Sequence, residues 1–112
     1  MKVKEHLLDG VPELLILRLL AAREMYGYQL VSEIQRRSAG ALEFGEGCIY
    51  PVLHRLLEQG MLSERAEEVR GRTRRYYRLN ACGQQRLDAL DAKWQQLSAA
   101  VIACGGTEVS HA

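Results

Sequence analysis

"MLSERAEEVRGRTRRYYRLN", residues 61 to 80, decides the fold. After Gly71, the positions Thr73, Arg75, Tyr77 and Leu79 alternate with Arg74, Tyr76 and Arg78, which is the two-residue period of a half-buried strand. The stretch therefore reads as two short strands around a turn near Gly71. Arg70, Arg72, Arg74, Arg75 and Arg78 fall within nine positions with no acidic residue among them, so the tip and its outgoing arm carry charge of one sign.

Upstream, a helix beginning at Gly47 places Ile49, Leu53, Leu56 and Leu57 at i, i+4, i+7 and i+8. Pro51 sits in its first turn and Gly60 is placed as its C-terminal cap, while Tyr50, His54 and Arg55 lie on its other face. Further upstream, "MYGY" reads as a turn. It leads into a helix from about Tyr28 to Ser38, with Leu30, Val31 and Ile34 inward and Arg36 and Arg37 near the cation-favouring C-terminal end. The first helix starts at Pro12, and its run Leu14, Leu15, Ile16, Leu17, Leu19, Leu20 is apolar nearly all round, as a buried helix would be.

Downstream, Asn80 is a natural N-cap for a last helix in which Leu87, Leu90, Trp94, Leu97 and Val101 follow a 3-4-3-4 spacing that Cys104 continues. Two heptads are marginal alone, so the stripe implies the same helix of a second subunit. The expected organisation is a unit of three helices and a hairpin over residues 1–80, a dimerisation helix over 81–104 and a flexible tail over 105–112.

The totals set limits. At 112 residues and 47% hydrophobic content the chain fits one domain. With 15 basic and 14 acidic side chains, affinity for a polyanion must come from placement of charge and not from its sum. Cys48, Cys82 and Cys104 are odd in number and form no C-x-x-C pair, which argues against a disulfide framework or zinc knuckle and fits reduced thiols. The run "ELLILRLLAA" is broken by Arg18 and too short to span a bilayer, and "MKVKEH" lacks the apolar stretch of a signal peptide. A soluble cytoplasmic protein is expected. His54 forms no metal-ligand spacing with His6 and His111, and the chain carries no nucleophile elbow, phosphate-cradling glycine loop or carboxylate pair set in a motif. Neither a metal, a cofactor nor an enzymatic activity is expected.

Three helices followed by a hairpin is the order of a winged helix-turn-helix, so the fold class is mainly α with a small β-hairpin plus a C-terminal dimerisation helix. Its partner would be double-stranded DNA, with the wing arginines gaining affinity by counterion release. Against this, a charge run is often a solvated face. Arg75 and Arg78 have cross-strand candidates in Glu64, Glu67 and Glu68, whereas Arg72 and Arg74 beside the turn have fewer.

The string "GEGCIYPVLHRLLEQGML" is similar to the recognition-helix signature of PadR-type transcriptional regulators, and "RGRTRRYYRLNACGQQRL" resembles their wing and the start of their dimerisation helix. "LLILRLLAAREMYGYQLVSEI" fits their first two helices, so the resemblance covers roughly residues 10 to 100. It departs at Cys48, where the family more often has a small hydroxyl residue and where a thiol is a weaker donor. The resemblance implies a homodimeric repressor of the short branch, reading an inverted-repeat operator. It implies that Gly47, Cys48, Tyr50 and Pro51 meet backbone and base edges, with His54 and Arg55 next along the helix and Arg72, Arg74 and Arg75 carrying the wing.

Blander roles stand beside these. Tyr50 could be a half-buried packing residue and His54 an ordinary exposed histidine. Trp94, mid-seam, is either dimer core or part of a site for a flat apolar small-molecule effector between paired helices. Cys48 at a helix start could be a redox switch, its default being a small unreactive residue. Two competing classes are a winged-helix protein-interaction module without DNA binding and a stand-alone small-molecule binder around Trp94.

Overall fold

The computed structural model describes residues 10–105 and contains four helices and three strands: α1 (Val11–Ala22), β1 (Met25–Tyr26), α2 (Gly27–Arg37), α3 (Glu46–Glu58), β2 (Leu62–Val69), β3 (Arg72–Leu79) and α4 (Ala81–Ala103). The expected tail beyond Gly105, the N-terminal "MKVKEH" and both His6 and His111 lie outside the described residues.

α1 is the hub. Ile16 and Leu17 are fully buried and Leu14, Leu19 and Leu20 nearly so, and the helix touches α2, α3, α4 and β3. Leu30 and Ile34 of α2, together with Ile49, Leu53 and Leu56 of α3, close the core against it, each fully buried side chain contributing about 1.5–3 kcal/mol. Pro51 is a correction to the first-turn placement expected: α3 starts at Glu46, so Pro51 is its sixth residue, inside the helix, and its ring removes the amide that would donate to the Gly47 carbonyl. α3 ends in a glycine-terminated cap. Gly60 adopts φ 73°, and the amides of Met61 and Gly60 donate to the carbonyls of Leu56 (2.9 Å) and Leu57 (3.0 Å).

The hairpin arms are longer than the short strands expected. β2 and β3 pair antiparallel over eight residues each, from Leu62 opposite Leu79 to Val69 opposite Arg72. The two-residue turn is Arg70-Gly71, both at positive φ (55° and 78°), as a type I′ hairpin turn requires. A correction falls at "MYGY", which is not a turn: Met25 and Tyr26 form a strand against Tyr77 and Tyr76, giving a three-stranded sheet of order β1-β3-β2, and α2 begins at Gly27. Two residues are too few for the alternation that announces a strand. This strand fixes the base of the hairpin to the helical body, with Met25 and Tyr77 buried beneath it.

Asn80 caps α4 as its sequence suggests, its Oδ1 accepting from the Gly83 amide at 2.9 Å. Its Nδ2 also donates to the Gly60 carbonyl at 2.8 Å, which ties the end of α3 to the start of α4. The first turns of α4 lie on α1 and β3. There the dimer expectation for Leu87 is corrected: Leu87 is 4% exposed within its own chain and belongs to the core, and Leu90 packs partly against that core. From Ala92 to Ala103 the helix is exposed save for Ser98, projecting from a molecule 62 Å long and 22 Å across.

Candidate nucleic-acid interface

Because Ile49, Leu53 and Leu56 point into the core, the opposite side of α3 is left to solvent: Gly47, Pro51, His54, Arg55 and Glu58 are all exposed there. Gly45 and Gly47 at the start of this helix stand in open space, so its first turn can approach a surface closely. Cys48 is half-buried and packs against the core.

Between this helix and the wing runs an open groove of about 830 Å³, lined by Tyr26, Gly27, Tyr28, Tyr50, Thr73 and Tyr77 with Arg70, Arg72, Arg74 and Arg75. Tyr50 is half-buried and its ring lies against the Gly27 backbone, so closely that no Cβ would fit at residue 27. Burial, and after it the nearby Glu46 carboxylate, push its hydroxyl above the usual tyrosine range. Tyr50 thus has both the packing role and a place in the groove wall. Tyr28 is 57% exposed at the groove mouth.

The wing arginines divide by strand face. Arg70 and Arg72, flanking Gly71, form no ion pair among the described residues. Arg75 faces Glu64 across the hairpin at 3.6 Å, a long and half-exposed pair that contributes little. Arg74 is on the other face, its guanidinium carbon 4.1 Å from the Tyr26 ring centroid, and a hydrogen bond with Tyr76 raises its pKa. Tyr26 and Tyr76 meet edge-to-face at 5.6 Å, and Arg65 lies 4.4 Å over Tyr76 while also binding Glu24 and Glu67. That stacked row stiffens the hairpin and leaves the tip as the part with unpartnered cations.

A family model described as the transcriptional regulator PadR-like family matches residues 16–89, from α1 to the early turns of α4. The chain belongs to that family. A transcriptional regulator of Mycobacterium tuberculosis is 36% identical over 72 residues, which make up 64% of this chain and 64% of that protein. A solved transcriptional regulator from Clostridium thermocellum matches 94% of this chain and 99% of its own with a TM-score of 0.82, at 23% identity a likeness of fold. Bacillus subtilis PadR, solved in complex with operator DNA, is 26% identical with a TM-score of 0.67, over 71% of this chain and 46% of that one.

In this PadR-like chain the structure brings Tyr50, Arg72, Arg74 and Arg75 together around one groove, with Gly47, Pro51, His54 and Arg55 on the exposed flank of α3 beside it. Of the seam residues, Trp94 (43%), Leu97 (56%) and Val101 (60%) are exposed, and Ile102 joins them. Sequence reading passed over Tyr26, Tyr28 and Arg70 as groove residues. The signal available was the pair of tyrosines around Gly27, whose meaning appears only once β3 is laid beside them. No disulfide joins the three cysteines. Among the described residues no group of His, Cys, Asp and Glu is placed to hold a metal ion, and no helix is long and apolar enough to cross a membrane.

Proposed function

We propose that this PadR-like regulator is a homodimeric repressor that binds duplex DNA, each subunit laying α3 in a major groove while the tip of its wing reaches the adjoining backbone or minor groove. The observation that carries the reading is the juxtaposition of an exposed helix face, an open tyrosine-lined groove and the unpaired Arg70 and Arg72 at a stiff hairpin tip. Rigid placement of a few guanidinium groups along one edge is what a polyanion of regular phosphate spacing selects, at a net protein charge of only +1. Gly47, Cys48, Tyr50, Pro51, His54 and Arg55 serve α3 in this role, and Arg72, Arg74 and Arg75 with Arg70 serve the wing.

The dimer forms through the projecting half of α4, where Trp94, Leu97, Val101 and Ile102 expose apolar surface that nothing among the described residues covers. Paired indoles of Trp94 would then also offer a stacking site for a flat apolar effector that releases the repressor in the cytoplasm. Selection from a random-sequence duplex library tests the proposal. It should return an inverted repeat with half-sites about one helical turn apart. Recovery of no sequence preference, with no duplex retained even at low salt, would replace it with a protein-interaction role for the same surface.

A further inference from the structure

Among the described residues Glu13 is the one charged residue in the core, 7% exposed on α1, and it sits where three helices meet. Arg86 of α4 donates to it through Nε at 2.8 Å and through a second nitrogen at 3.4 Å, while Arg55 of α3 donates at 3.4 Å. Hydrogen bonding to Glu13 raises the pKa of Arg86, so the guanidinium beside that carboxylate stays charged. A carboxylate withdrawn from water this far is costly to leave unpaired, so its position follows the guanidinium that binds it best. Here that is Arg86. Arg55 holds the same carboxylate by a longer, single contact and keeps a side chain 48% exposed.

We infer that Glu13 is a positioning residue that links the dimerisation helix to the DNA-reading helix: the placement of α4 sets the Glu13 carboxylate through Arg86, and Glu13 sets the pose of Arg55 on the outer face of α3. Two guanidinium groups carry donors only and cannot bond each other, so the contact that joins Arg86 to Arg55 is the Glu13 carboxylate they share. The same arrangement gives a shift of α4, on dimerisation or effector binding, a path of three side chains to the DNA surface. This rests on the DNA-binding reading proposed above and adds to it the part of the chain that tunes discrimination.

The test is a set of variants of the full chain, read as the ratio of affinities for the duplex recovered by selection and for a scrambled duplex of the same composition. Arg86→Gln should lower that ratio by roughly 5- to 20-fold in the wild-type background and have no effect in an Arg55→Gln or a Glu13→Gln background. Since Arg86→Gln strands a buried carboxylate and could unfold the chain, Glu13→Gln provides a second arm: it severs both links without stranding a charge, and its loss of discrimination should vanish when Arg55→Gln is already present. An equal fold-change for Arg86→Gln with and without Arg55, or no change in the wild-type background, overturns the linkage while leaving the DNA reading intact. A wild-type chain that binds no duplex at all overturns both.

Discussion

The Tyr50 ring of α3 occupies the space that a side chain at Gly27, the first residue of α2, would need. One residue without a Cβ therefore lets α3 and α2 close to ring-on-backbone distance. Gly27→Ala should force the Tyr50 ring out into the open groove, with a loss of about 1–3 kcal/mol of overpacking strain read by urea denaturation. Tyr50→Ala in the same chain should restore most of that loss, because it removes the clashing ring. Equal stability of Gly27→Ala and wild type would show that the ring relaxes freely and is not a fixed wall of the groove.

Arg70 holds a left-handed conformation (φ 55°) in a turn where Asn-Gly is the favoured pair. A long cation in that place costs about 1 kcal/mol relative to Asn. Arg70→Asn should accordingly raise the thermal midpoint while weakening duplex binding and reducing the salt dependence by about one phosphate contact. Unchanged affinity and an unchanged salt slope would mean that the tip residue has no part in binding.

The exposed seam makes its own prediction. Leu97→Asp with Val101→Asp should leave the chain folded, since both side chains lie outside its core, and should shift sedimentation equilibrium from dimer to monomer. Leu87→Ala, in contrast, should unfold the monomer by a further 2–5 kcal/mol or so, as a core truncation does. A dimer of unchanged affinity after the double substitution would remove α4 from the interface.

Alkaline pH reports on Tyr77, which burial first, and then Glu64 and Tyr50, hold above the usual tyrosine range. A raised tyrosine pKa means that the folded state favours the neutral phenol. The resulting stability is fully present below the unfolded pKa and is lost as pH rises through the folded one. Tyr77→Phe should move the alkaline limb of the melting-temperature profile to higher pH. Coincident alkaline limbs would assign that limb to other groups, Tyr50 foremost.

Much of this architecture could be read from residues whose local chemistry points one way. The apolar run of α1, the i, i+4, i+7 spacing of Ile49, Leu53 and Leu56, the Asn80 cap and the alternation through Tyr77 each express a period or a hydrogen bond contained within a few positions. What escaped depends on contacts distant along the chain. β1 has two residues and exists only because Tyr76 and Tyr77 lie beside it. Leu87 shares its heptad spacing with Trp94 and Leu97, and only the packing of α4 on α1 assigns the first to the core and leaves the others exposed. The same holds for the site. An arginine count located the wing, yet the division between stacked Arg74 and unpaired Arg72 comes from Tyr26, nearly fifty positions upstream, and the Glu13 link needs three helices in place.

The central claim is that the exposed face of α3 and the arginine tip meet duplex DNA, and its most direct test is fluorescence anisotropy of the purified protein with the selected duplex across a range of salt, repeated with random-sequence competitor. Affinity should resist the competitor and fall linearly on a logarithmic salt scale, with a slope near 0.9 or so per phosphate contacted and shallower after Arg70→Ala with Arg72→Ala. Absence of binding at low salt, or binding indifferent to both salt and the tip arginines, would contradict the account.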